Sequence, residues 1–212
     1  ASSLAPRHPF VDLLGPHCPD PLARGARGYR YNLVGPLCGV NVALREPPRY
    51  EAAARHPDIE RAGLTILGLD DPEEIYALYE GRIPPLASIW GTTPTAHDPS
   101  QAPPGLHTAF MWQKVPYAPD GDARGWDRRA AAHCEWMLAR WRQFAPNLTP
   151  ETILSRRFLS PLDTERRFRN LVGGDLGAGW MGPGQARHER PFPGAGGCRT
   201  PVPGLYLCGG AV

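Results

Sequence analysis

The most regular alternation of apolar and polar positions runs from Leu37 to Leu44, with Cys38, Val40, Val42 and Leu44 on one side and Leu37, Gly39, Asn41 and Ala43 on the other. A period of two is the signature of a strand, and the uniformly apolar even positions predict that this side faces a core. The strand is predicted to start as early as Tyr29 and to stop before Glu46-Pro47-Pro48. Shorter runs predict further strands over Gly63 to Leu69, Pro85 to Thr92, Leu106 to Val115, Ile153 to Leu159 and Leu205 to Cys208. A period near 3.6 dominates Trp126 to Phe144, where Cys134, Met137, Leu138, Trp141 and Phe144 form one apolar stripe behind an N-terminal Asp127 and ahead of Pro146.

Shorter helices are expected from Phe10 to Leu14, stopped by Gly15-Pro16, and from Asp20 to about Arg27, with Asp20 as cap and Pro21 in first position. Another is expected behind Asp70-Asp71-Pro72, ending at Tyr79 before Gly81, with Ile75, Leu78 and Tyr79 on one face. A helical turn is expected over Leu162 to Phe168. His97 to Gly105 reads as a loop, and Leu171 to Gly204 as a long irregular connection of the kind that is often functional. The links between strands are too short or irregular for regular crossovers. The expected fold is therefore α+β, with a mixed, largely antiparallel sheet and helices on one face.

Composition sharpens this picture in three ways. The chain has 212 residues, 42% of them hydrophobic, which suffices for a packed core. Its 24 glycines and 26 prolines predict many loops and short elements. With 23 basic and 21 acidic residues the net charge is +2, and the pairs Arg128-Arg129, Arg156-Arg157 and Arg166-Arg167 read as solvated faces, which argues against nucleic acid as a partner. The five cysteines (Cys18, Cys38, Cys134, Cys198, Cys208) are odd in number and lack C-x-x-C spacing, which favours reduced thiols in a cytoplasmic protein over a disulfide framework or zinc site. Ala at the first position and a last residue, Val212, two places after a glycine pair are expected to mark part of a longer polypeptide.

Candidate chemistry is sparse. The seven histidines show no metal-ligand spacing and read as surface or loop residues, and no phosphate-binding or nucleophile motif occurs. The run Gly173-Gly174-Asp175-Leu176-Gly177-Ala178-Gly179 is dense in glycine, but Pro183 and Gly184 follow it instead of a helix. It reads as a flexible loop or as a place where backbone approaches a flat ligand. Trp90, Phe110, Trp112 and Tyr117 are candidates either to line an apolar substrate cavity or to fill a sheet core. An apolar strand running into Gly209-Gly210 is how a backbone meets a dinucleotide cofactor.

The segment Arg199-Thr200-Pro201-Val202-Pro203-Gly204-Leu205-Tyr206-Leu207-Cys208-Gly209-Gly210 resembles the C-terminal part of phytoene desaturase-like FAD-dependent oxidoreductases, a group similar to the amine oxidases. Tyr29-Arg30-Tyr31, Pro103-Pro104-Gly105-Leu106-His107, Ala145-Pro146-Asn147, Ser160 to Arg166, Gly173-Gly174, Gln185 and Arg190-Pro191 resemble that family in the same order. The resemblance implies a connection over 1–21, a substrate-binding domain over 22–170, and a return into the FAD-binding domain over 171–212. It implies FAD as cofactor, contacted by the backbone of Gly209, Gly210, Ala211, Gly173 and Gly174. The implied partners are a small-molecule substrate and the remainder of the chain's own FAD-binding domain.

With Trp90, Phe110 and Trp112, the polar candidates Gln185 and Arg190 complete the expected substrate site, although both equally suit a role in bonding loop carbonyls. The implied activity is hydride transfer from an apolar organic molecule to the flavin, with the isolated segment inactive. The rival reading is a non-catalytic ligand- or partner-binding domain derived from the same family. Membrane association and homo-oligomerisation stay open. Gly177 and Ala178 stand where relatives carry an aromatic residue and a histidine, and Cys198 where tyrosine is usual, so a more open and polar flavin face is expected.

Overall fold

The computed structural model describes residues 1–68, 71, 74–84 and 88–212. Two compact units emerge, one built from Leu37–Leu162 and one from Ala1–Pro36 together with Asp163–Val212.

The 37–162 unit is an antiparallel sheet of five strands: β1 (Leu37–Leu44), β2 (Thr65–Leu67), β3 (Ile89–Thr92), β4 (His107–Lys114) and β5 (Ile153–Leu159), in the order β2-β3-β4-β1-β5. It contains helices α2 (Glu74–Tyr79) and α3 (Gly125–Arg142), with the expected α+β fold class. The even residues of β1 are buried, as their alternation predicts. They join Ile89, Met111 and the α3 residues Cys134, Met137, Leu138 and Trp141 in one core. Burying side chains of this size stabilises a fold by about 1.5–3 kcal/mol each before entropy is charged against it. Phe144 lies just past the helix and is half-buried against that core.

Several expectations are corrected at element ends. β1 begins at Leu37, not Tyr29, because the backbone of Arg30 and Asn32 is taken up by side chains of the 1–36/163–212 unit and has no strand partner. Helix α1 (Asp20–Arg27) has Pro19 at its cap position, and Asp20 sits inside the first turn, where its charge favours the positive end of the helix dipole. In α2 the buried side is Ala77 and Leu78, while Tyr79 is 72% exposed at the last helical position. The cap expected at Asp70 and Pro72, the side chain of Ile75, and the strand ends at Leu69 and Pro85 lie outside the described residues.

The 1–36/163–212 unit holds α1 and the downstream part of α4 (Pro161–Arg167), with little other regular structure. Its core is Phe10, Leu22, Ala23, Ala26, Tyr29, Phe192, Leu207 and Ala211. The strand expected over Leu205 to Cys208 is an extended segment held by two isolated bridges, Leu207 to Ser2 in parallel and Tyr206 to Arg199 antiparallel. Around the second bridge Leu207 N–H donates to Cys198 O (2.7 Å) and Thr200 N–H to Leu205 O (3.3 Å), but Leu205 N–H turns to Val202 O (3.1 Å), so the pairing goes no further as a ladder.

Candidate functional site

The glycine-dense return loop is held by three buried polar side chains. Asp175 is 4% exposed; its Oδ1 accepts from Gly177 N–H (2.9 Å), and its Oδ2 accepts from Gly179 N–H (3.0 Å) and Asn32 N–H (2.8 Å). Gln185 is 3% exposed and pairs with one residue as a strand would, its Oε1 accepting from Arg30 N–H (2.8 Å) and its Nε2 donating to Arg30 O (2.8 Å) and Trp180 O (2.9 Å). The Arg30 guanidinium in turn lies 3.7 Å from the centre of the Trp180 ring, a cation–π contact.

Arg190 is the hub. It is 6% exposed, and its guanidinium donates to the carbonyls of Gly177 (3.0 Å), Ala178 (3.1 Å), Trp180 (3.2 Å), Gln185 (3.3 Å) and, through both Nε and Nη2, Gly210 (2.8 and 2.6 Å). A guanidinium has five N–H donors and no acceptor. All its directions are therefore spent on backbone oxygens, and the cation is solvated by carbonyl dipoles. Tyr29 also donates its hydroxyl to Ala178 O, and burial pushes its phenol up to about 12, with nearby Arg190 opposing that shift. Gly179, at φ +134°, leaves room for the phenol: a Cβ there would stand 2.1 Å from Tyr29 Oη.

These bonds fix the C-terminal turn. Gly210 O is held by Arg190, and Gly209 O accepts from Val212 N–H (3.3 Å). In a trans peptide the N–H points opposite to the carbonyl of the same unit. The N–H groups of Gly210 and Ala211 therefore point away from those contacts, and neither has a partner among the described residues. Gly209 (φ +90°) and Gly210 are exposed, while Ala211 is buried. The turn thus offers two backbone donors beside a strip of backbone without side chains, an arrangement suited to an anionic or carbonyl oxygen. Gly173 and Gly174 are buried with positive φ, and their N–H groups are used within the chain, toward Glu165 Oε1 (2.8 Å) and Leu171 O (2.9 Å).

The three aromatic candidates lie in the 37–162 unit. Trp90 on β3 and Trp112 on β4 are cross-strand partners, and the Phe110 and Trp112 rings are 4.7 Å apart. All three are half-buried on the sheet face opposite α3, so they lie outside the main core. The fourth candidate, Tyr117, packs against the core.

His133, read from the sequence as a surface or loop residue, is instead a half-buried helical residue, because aromatic side chains close around its ring. It sits on α3 with Trp126, Trp136 and Phe158 around its ring at 5.4–5.8 Å, and its Nε2 donates to the fully buried Gln113 Oε1 (2.7 Å). Desolvation by these neighbours lowers its pKa to about 4, so the ring is neutral at physiological pH. The i,i+3 spacing of His133 and Trp136 on one side of the helix was the available signal. Asp175 and Tyr29 lie inside the glycine-dense run and the Tyr-Arg-Tyr segment, but no periodicity marks either one. All five cysteines are free; Cys18, Cys38 and Cys134 are buried and burial pushes their thiols up. Among the described residues no His/Cys/Asp/Glu cluster suits a metal ion, and no helix is long and apolar enough to cross a membrane.

No protein-family model matches the chain. It is similar over 82% of its length to one of the subunits of the limonene dehydrogenase of Castellaniella defragrans (29% identical over 183 residues). It is also similar to pyridine nucleotide-disulfide oxidoreductase domain-containing protein 2 of Mus musculus (30% over 185 residues) and of Rattus norvegicus (30% over 186 residues), again over 82% of the chain. The chain spans about a third of the length of these curated relatives, 31–32% in each case. Their names point to a broad oxidoreductase class, wider than the phytoene desaturase-like group that the motifs suggest.

Proposed function

We propose that this chain is the substrate-binding and C-terminal portion of a cytoplasmic FAD-dependent oxidoreductase of the phytoene desaturase-like type. The observation that carries the proposal is the C-terminal turn, whose carbonyls are tied inward by Arg190 and Val212 while the N–H groups of Gly210 and Ala211 point away unpaired among the described residues. The relatives named as oxidoreductases support the same reading over most of the chain.

In this reading Gly209, Gly210 and Ala211 hold the cofactor through backbone, which fits a site where no side chain intervenes. FAD supplies, when bound, the acceptor for a hydride taken from an apolar organic substrate. Arg190 and Gln185 act at one remove. Their polar atoms are committed to loop carbonyls, so they shape the backbone that meets the cofactor instead of touching substrate. Trp90, Phe110 and Trp112 provide the apolar surface that keeps water from the substrate.

The test is the colour of the whole gene product. Purified protein carrying flavin absorbance, or taking it up from added FAD with a change in flavin fluorescence, is the expected result. A folded, colourless protein that leaves added FAD unbound refutes the proposal and favours the non-catalytic ligand-binding alternative.

A further inference from the structure

The sheet face that carries the aromatic residues also carries a fixed charge gradient. Strand register places Thr92, Phe110, Asn41 and Arg157 in one row across β3, β4, β1 and β5. At about 4.8 Å per strand, the row spans roughly 14 Å from Thr92 to Arg157. The neighbouring row reads Ile66, Trp90, Trp112, Gly39 and Leu159. Gly39 is a slot for the Trp112 indole, since a Cβ there would stand 2.6 Å from Trp112 Cδ1, so the ring leans across β1 toward β5.

Alternation sends Arg156 and Arg157 to opposite faces. Arg156 pairs with Glu135 of α3 on the core side, which leaves Arg157 on the aromatic side. Arg157 is exposed and has no ion-pair partner among the described residues. The five strands contain no Asp or Glu, and Lys114 is the other cation whose strand position falls on this face. On the far side of the row, Thr92 Oγ1 is buried without a hydrogen-bond partner among the described residues.

We propose that this face is a binding platform for an amphipathic carboxylate, with the apolar body lying on Trp90, Phe110 and Trp112 and the carboxylate reaching Arg157 beside Asn41. This rests on, and narrows, the substrate role assigned above to the same aromatic residues. A guanidinium favours a planar carboxylate through paired N–H donors. With no carboxylate among the described strand residues to pair with it, the exposed Arg157 favours an anion over the matching neutral amide. A hydrocarbon would leave Arg157 unused, and an amine would be repelled.

The test is isothermal titration of the whole gene product with octanoate and with octanamide, which share an apolar chain and differ in charge. Octanoate is expected to bind about fivefold more tightly than octanamide, the scale of an exposed ion pair. Arg157→Gln is expected to erase that preference and leave octanamide affinity unchanged, and Trp112→Leu to weaken both ligands. Equal affinity of the wild type for both, binding of neither, or an Arg157→Gln variant that keeps the preference overturns the proposal. Flavin absorbance of the same sample is read separately. A colourless protein that binds octanoate selectively keeps the platform and loses the redox role, whereas a yellow protein without selectivity does the reverse.

Discussion

Replacing Arg190 by methionine keeps the length of the side chain and removes every donor of the hub. Five carbonyls lose a partner, but not equally. Trp180 O keeps the Gln185 amide (2.9 Å) and Ala178 O keeps the Tyr29 hydroxyl. Gly177 O, Gln185 O and Gly210 O lose the only donors they have among the described residues. An unsatisfied polar group costs about 1–3 kcal/mol, and the low end applies where water can replace the donor, as it can at exposed Gly177 and Gly210. The expected cost is about 3 kcal/mol, or roughly a 150-fold rise in local opening.

Amide hydrogen exchange followed by mass spectrometry across residues 176–190 measures this directly, since Gly177 and Gly179 N–H are protected by Asp175 in the closed loop. Arg190→Lys should recover about half of the lost protection, because an ammonium has three donors in place of five. Exchange of this segment in Arg190→Met within about threefold of the wild-type rate would refute the hub argument.

Three further outcomes follow from the same geometry. Gly179→Ala forces a Cβ onto the Tyr29 phenol at a φ of +134°, and is expected to destabilise by more than about 2 kcal/mol in a denaturant titration. Tyr29 has a raised pKa in the folded state, so its contribution is fully present below pH 10 and is lost as pH rises toward about 12. Ultraviolet phenolate titration should show Tyr29 among the late tyrosines, with Tyr31 and Tyr50, which burial also raises, and titration of Tyr29 at the ordinary value would contradict the buried hydroxyl. His133 has a depressed pKa, so its contribution is present above the ordinary histidine value of 6.5 and is lost as pH falls through about 4. An NMR imidazole titration with a midpoint near 6.5 would show that the aromatic surround does not desolvate it.

The sequence by itself determined the elements whose periodicity is set by one local contrast between core and solvent. The β1 alternation, the α3 stripe and the bounds of β5 at Ile153 and Leu159 were all legible because burial on one side repeats along the chain. The glycine pair at 209–210 was legible as a stretch of exposed backbone for a related reason, since the absence of side chains is itself a local property. Only the tertiary structure decided where Tyr29 to Asn32 belongs, because its hydrogen-bond partners lie more than 140 residues away in Asp175 and Gln185. It alone decided that Arg190 faces five carbonyls, and that Arg156 and Arg157, adjacent in sequence, serve opposite faces of one sheet. Long-range polar contacts leave no period in the chain. They are fixed by which oxygens the fold leaves without donors, and that is settled only when the loop, the C-terminal turn and residues 29–32 close on one another.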